Sequence, residues 1–162
     1  MRVKNLEAAL SLRCKKEFEK SNQLLMELAK QNPEDAVIQY QCAWSLDILG
    51  LESQAVSYYE TALTLGLSEE DAKGAYLGLG STYRTIGEYE KSKRTLETGL
   101  SKFPEDKALI VFRAMAFYNL GHHNLAMESL LKIIAETSKD HAIQSYAKAI
   151  EFYSDKLDTV WK

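Results

Sequence analysis

The chain has 162 residues, of which 46% are apolar and 27% are charged, and only two are proline. This composition is typical of a globular domain and excludes extensive disorder. The net charge of −3 disfavours general nucleic-acid binding, which needs a basic surface. No apolar run approaches the roughly 20 residues of a membrane span, so membrane insertion is not expected.

The cellular context expected from the sequence is the cytoplasm. The first 20 residues lack the apolar run of a signal peptide. Cys14 and Cys42 have neither a CxxC partner nor metal-ligand spacing, which fits a reducing compartment. Cys42 falls on an apolar helix face and is predicted to be a core residue. We expect no cofactor and no metal ion.

A repeat of about 34 residues organises the chain. The turn positions Lys16, Gly50, Gly87 and Gly121 are separated by 34, 37 and 34 residues. This spacing is typical of helix-turn-helix solenoids. The three extra residues fall between 62 and 73 and should lengthen a connection or a helix end. Lys16 must form its turn without the conformational freedom of glycine.

Four helical hairpins and a capping helix are predicted, which gives an all-α solenoid of nine helices in a single domain, residues 1–162. The hairpins cover about residues 3–33, 36–66, 73–104 and 107–137, and the capping helix covers 139–160. A small residue recurs at one position of each repeat, which predicts close helix crossing: Ala9, Ala43, Gly80 and Ala114. The capping helix should cover the last repeat with one apolar stripe: Ile143, Tyr146, Ala147, Ile150, Tyr153 and Leu157.

The best-formed repeat, residues 73–104, has a pattern of aromatic, leucine, small and glycine positions: Tyr76, Leu79, Gly80, Tyr83, Gly87, Tyr89, Ser92, Leu96, Gly99 and Pro104. This pattern resembles the tetratricopeptide repeat. The departures are Ser92 and Gly99, where alanine is usual, and Lys16 for glycine in the first repeat.

A closer resemblance covers roughly residues 40–158. The phrases AWSLDILG, LGLGSTYRTIGEYEKS and FPEDKALIVFRAMAFYNLGHHNLAMESL are similar to a small bacterial stand-alone tetratricopeptide group of unknown function, often numbered the fifth. The resemblance implies a right-handed α-solenoid, no known catalysis and homodimers. It does not supply a ligand.

The first helices of such hairpins line the concave face, and this face is the predicted partner-binding groove. The repeat register places there Tyr40, Trp44, Asp47, Leu77, Ser81, Arg84, Val111, Met115, Tyr118 and Asn119. The lining is largely apolar and aromatic, which suits an amphipathic helix or another copy of the protein.

Tyr40, Trp44 and Asp47 share one helix face, at i, i+4 and i+7, and could hold an Arg or Lys of a partner by cation–π contact and ion pairing. They lie in a segment, residues 31–72, that contains eight acidic residues and no Lys or Arg. The alternative is that Trp44 merely packs on the neighbouring repeat. Both interpretations stay open at the level of sequence.

The function expected from these features is a non-catalytic protein interaction module that binds a protein or peptide, basic or amphipathic-helical. The alternative is a homodimeric structural protein in which the groove or the terminal helix forms the interface. Enzymatic activity is not expected, because no catalytic constellation can be placed on one face of the stack.

Overall fold

The computed structural model describes residues 2–162, with side chains described from residue 4 onward. This part of the chain contains ten α-helices and no β-strand. They are α1 (Arg2–Cys14), α2 (Phe18–Gln31), α3 (Ala36–Ile48), α4 (Glu52–Leu65), α5 (Glu69–Thr85), α6 (Tyr89–Lys102), α7 (Lys107–Asn119), α8 (His123–Thr137), α9 (His141–Ser145) and α10 (Ala147–Tyr153). The predicted all-α fold is confirmed.

The helices pack in consecutive pairs. Each of the first eight helices contacts the helices that precede and follow it in the chain, and α5 also contacts both α3 and α7. The first helices of repeats two, three and four therefore form one continuous layer. The core lies between this layer and the second helices, and Cys42 is fully buried in it as predicted.

A left-handed residue closes every hairpin. Lys16 has φ 62°, and the equivalent glycines have φ 70°, 84° and 80° at Gly50, Gly87 and Gly121. In the first repeat the amide of Glu17 donates a 2.9 Å hydrogen bond to the Leu12 carbonyl, and the equivalent bond recurs in the other three. Lys16 thus makes the same turn as the glycines, and because it carries a Cβ atom it does so with strain.

The small-residue position is a close helix crossing, as predicted. A Cβ atom on Gly80 would lie 2.5 Å from Leu96 Cγ, so no larger residue fits without movement. Ser92, which replaces the usual alanine, is fully buried and donates a 2.7 Å hydrogen bond to the Gly80 carbonyl. Ser21 does the same to Ala9 in the first repeat, at 2.8 Å. Serine is therefore accommodated because the facing helix supplies an acceptor.

The three-residue insertion lengthens a helix end. Helix α5 has 17 residues, whereas α3 and α7 have 13 each. Its first turn begins after Ser68, whose hydroxyl accepts a hydrogen bond from the Asp71 amide. The insertion thus adds one helical turn to the first helix of repeat three.

The predicted capping helix, 139–160, is divided in two. Tyr146 interrupts it between α9 and α10, and helix α10 ends at Tyr153, so the described residues form ten helices instead of the predicted nine. Helix α10 packs on α8, but Tyr146, Tyr153 and Leu157 of the predicted stripe are 68%, 48% and 54% exposed. Short helices with little tertiary support are marginal, which is consistent with the division of the predicted helix.

The turn at Lys16 gives the first testable prediction. We expect Lys16→Gly to raise the free energy of unfolding by about 0.5–1 kcal/mol, because left-handed strain costs more than the added unfolded-state entropy of glycine. Urea unfolding monitored by circular dichroism measures the effect. Lys15→Gly is the matched control: Lys15 has no left-handed backbone, so the same change there should be destabilising. Equal effects at both positions would contradict the assignment of strain to Lys16.

Candidate binding groove

The structure contains a cavity of about 420 Å³ in the face formed by α3, α5 and α7. It brings together five of the predicted groove residues, Tyr40, Trp44, Asp47, Leu77 and Ser81. The sequence reasoning did not assign the other lining residues to the groove: Ile48, Tyr59, Gly74, Gly78 and Phe112. The groove is defined below as these ten residues.

The other five predicted residues do not line this cavity: Arg84, Val111, Met115, Tyr118 and Asn119. Met115 and Tyr118 lie on α7 and are 38% and 64% exposed. The ring of Tyr118 packs against His123, with centroids 4.9 Å apart. Met115 and Tyr118 therefore lie on open surface outside the cavity.

Two glycines of α5 allow tyrosines from the preceding repeat to reach the cavity. A Cβ atom on Gly74 would lie 2.2 Å from the Tyr40 hydroxyl, and one on Gly78 would lie 2.4 Å from the Tyr59 hydroxyl. Either side chain would have to move if alanine were present. Two glycines at i and i+4 destabilise a helix. Their presence in α5 was the feature of the sequence from which a close contact at the groove could have been predicted.

Asp47 lies at the centre of a hydrogen-bond network that joins three helices. Its carboxylate accepts from the hydroxyl of Tyr59 on α4 at 2.8 Å and from that of Thr82 on α5 at 2.9 Å. In the described residues no Lys, Arg or His forms an ion pair with Asp47. Burial raises the pKa of the Asp47 carboxyl, and burial together with Asp47 raises that of Tyr59.

Trp44 is packed against the neighbouring repeat and is also exposed. The guanidinium of Arg13, from α1, lies 4.1 Å from the centroid of its ring. The Tyr40 ring stacks on it at 6.2 Å, with an interplanar angle of 22°. Arg13 also donates a hydrogen bond to Gln41 Oε1. One face of Trp44 thus already holds a cation from the chain itself, yet 43% of the residue stays accessible.

Arg84 is the basic group of the predicted groove. It occupies in repeat three the position that Asp47 occupies in repeat two. In the described residues its guanidinium forms no ion pair, and its Nε atom is buried without a hydrogen-bond partner. Arg84 therefore does not neutralise Asp47.

Residues 2–162 contain neither a candidate metal site nor a candidate membrane span. No cluster of three or more His, Cys, Asp or Glu side chains could hold a metal ion. No helix there is both long and apolar enough to cross a bilayer. Cys14 and Cys42 are both free thiols, the first exposed and the second buried.

Stacked helical hairpins, each closed by a left-handed residue and crossed at a small one, define an α-solenoid of helix-turn-helix repeats. The chain belongs to the tetratricopeptide repeat family. The family profile described as "Tetratrico peptide repeat" matches residues 36–157, which confirms the resemblance seen in the sequence. No match is found among curated proteins.

Two solved structures illustrate the similarity of this fold to known proteins. A MamA fragment, "41-end", from Desulfovibrio magneticus RS-1 has a TM-score of 0.76 and 16% identity, over 97% of this chain and 87% of that one. A chain of the APC/C hetero-tetramer Cut9–Hcn1 has a TM-score of 0.70 and 18% identity, over 98% of this chain and 31% of that one. At these identities the likeness shows the fold alone.

The buried carboxylate of Asp47 generates a pH-dependent prediction. Its native pKa lies above its ordinary value of 3.8, so between these values the folded protein binds more protons than the unfolded chain. The contribution of Asp47 to the free energy of unfolding should therefore fall as pH rises through this window.

Urea unfolding of the wild type and of Asp47→Asn between about pH 4 and pH 7 measures this contribution as a difference between the two proteins. We expect the wild type to lose stability relative to the variant as pH rises. A difference that stays constant or grows in favour of the wild type would contradict the raised pKa.

Proposed function

We propose that this protein is a non-catalytic interaction module that binds a segment of a partner protein in the groove. The cavity is the observation that carries the proposal, because it joins residues from three repeats in one apolar, aromatic recess. Trp44 and Ile48 are 43% and 36% exposed there, although both are large apolar side chains. Exposed apolar surface in a recess is typical of protein interaction sites.

The rigid surroundings of the groove favour tight binding. Its lining residues are held by packed helices, and Tyr40 and Tyr59 are largely buried at its floor. A preformed site loses little conformational entropy when a ligand binds. Aromatic anchors such as Trp44 and Phe112 are the residues that most often supply binding energy at interfaces.

The chemistry of the cavity supports binding and not catalysis. Asp47 is the only carboxylate in the lining, and the lining contains no His, Cys, Lys or Arg. The partners of Asp47 are two hydroxyl groups, and because burial raises the pKa of the Tyr59 phenol, that group is a poor proton donor at neutral pH. The working compartment we infer is the cytoplasm, because both thiols are free.

A matched pair of arginine substitutions tests the groove. Ser81→Arg places a long side chain at the cavity wall and should weaken partner binding by about tenfold or more, because it fills the recess. Ser57→Arg makes the same change on the exposed side of α4 and should leave binding unchanged.

Affinity capture from a lysate of the source organism, followed by calorimetry with each purified partner, measures the effect. A partner retained by the wild type and by Ser57→Arg but lost with Ser81→Arg supports the proposal. If every retained partner binds the two variants equally, groove binding is refuted.

Self-association through the C-terminal end is a second candidate function. Phe152, Tyr153 and Trp161 form a ring cluster with centroids 5.1–6.3 Å apart, and each is about half exposed. Tyr146 and Leu157, also in this C-terminal segment, are 68% and 54% exposed. Such a patch at the end of a solenoid suits an isologous contact with a second copy of the chain.

Light scattering over a range of protein and salt concentrations tests the second candidate. We expect a dimer at high micromolar concentration, and Phe152→Ser should shift it to the monomer because the ring cluster loses its centre. Leu65→Ser, which removes a half-exposed leucine at the end of α4, is the control. A wild-type monomer at high concentration in low salt would exclude self-association.

A further inference from the structure

We propose that the groove recognises a basic side chain: the partner segment inserts a Lys or Arg whose head group reaches Asp47, while its aliphatic stem lies along the aromatic and apolar walls. This inference rests on the proposed function and specifies the chemistry of its ligand. It concerns the cavity between α3 and α5, at the point where Asp47, Tyr59 and Thr82 meet.

The charge of Asp47 is unbalanced within the described residues. A carboxylate has about four acceptor positions, and the two hydroxyl donors, from Tyr59 and Thr82, leave room for further donors. The cation of repeat one, Arg13, stacks on Trp44 and donates to Gln41, while its Nη1 is buried without a partner, and in the described residues it forms no ion pair with Asp47. A carboxylate taken partly out of water without a counter-ion costs stability, and such groups are more frequent where a ligand supplies the missing charge.

Of the charged residues that act on Tyr40 and Asp47, three are carboxylates, Glu52, Glu70 and Asp71, and one is the guanidinium of Arg13. Residues 31–72 contain eight acidic residues and no Lys or Arg. The charge of Glu52 acts on Asp47 in the same direction as burial, so it raises the pKa further. Field lines concentrate in recesses, and a basic segment would be attracted and oriented before contact, whereas an acidic one would be repelled.

The shape of the cavity also fits a long basic side chain. Tyr40 and Tyr59 form its floor against Gly74 and Gly78, which lack the Cβ atoms that would displace the two tyrosine hydroxyls. Leu77 and Phe112 provide apolar surface on other sides. Lys and Arg bury their methylene stems on such surfaces while the charged head seeks polar groups, and aromatic rings add cation–π attraction.

A displayed library of random 12-residue peptides provides the test. The library is selected separately on the wild type, Asp47→Asn, Glu60→Gln and Ser81→Arg. We expect the wild type and Glu60→Gln to enrich peptides with Lys or Arg at one aligned position. Asp47→Asn should retain peptides but lose that enrichment, and Ser81→Arg should retain few.

Glu60→Gln is the matched control because Glu60 also accepts a hydrogen bond from a tyrosine hydroxyl, that of Tyr83, and does not line the cavity. It makes the same change in net charge as Asp47→Asn. Thermal unfolding of all variants verifies that each is folded before selection.

A synthetic peptide from the wild-type selection then completes a double-mutant cycle. Replacing its basic residue by norleucine should weaken binding to the wild type by about tenfold or more and binding to Asp47→Asn by less than about twofold. Calorimetry measures both. Equal losses for the two proteins would overturn the pairing with Asp47.

The remaining outcomes separate this inference from the proposed function. Peptides that depend on Ser81 but show no basic preference would overturn recognition of a basic side chain and leave groove binding intact. If no selected peptide depends on the groove, both the inference and the proposed function are refuted.

Discussion

The close crossing of the two helices in each hairpin is the constraint on which the rest of the structure depends. Where the crossing allows only alanine or glycine, as at Ala43 and Gly80, the paired helices approach closely and bury one face of each. The outer face of the first helix is then left without a partner inside the repeat. Stacking of repeats places these outer faces side by side, so the groove is a direct consequence of how each hairpin packs.

The groove contains several features that lower the stability of the fold. Glycines inside α5 weaken the helix, and a half-buried carboxylate weakens the core, yet both are found at a recess that spans three repeats. Gly74 and Gly78 are needed to seat Tyr40 and Tyr59, and Tyr59 in turn holds Asp47. The destabilising glycines and the half-buried carboxylate are thus linked through Tyr59. Their occurrence together supports a binding role more strongly than either feature alone.

The repeat register was sufficient to predict the hairpins, the turns and the insertion, because each depends on contacts within about 37 residues of chain. It also placed Trp44 and Leu77 on one face. It could not predict contacts made between repeats by long side chains, such as Tyr59 reaching α5 or Arg13 covering Trp44. The interruption at Tyr146 was missed for a related reason, since helix continuity there depends on neighbours that the periodic pattern does not supply.

One repeat position carries the charge inside the groove, at Asp47, and two charges outside its lining, at Arg13 and Arg84. Arg13, Asp47 and Arg84 are equivalent in successive repeats, so the scaffold presents alternating charges at a fixed spacing without any change in its core. Their environments differ: Arg13 stacks on Trp44, Asp47 is hydrogen-bonded to hydroxyls, and Arg84 has no ion-pair partner in the described chain. Because the fold tolerates either sign at this position, the choice of residue there is free to follow the ligand, and the uncompensated carboxylate is where that choice is most informative.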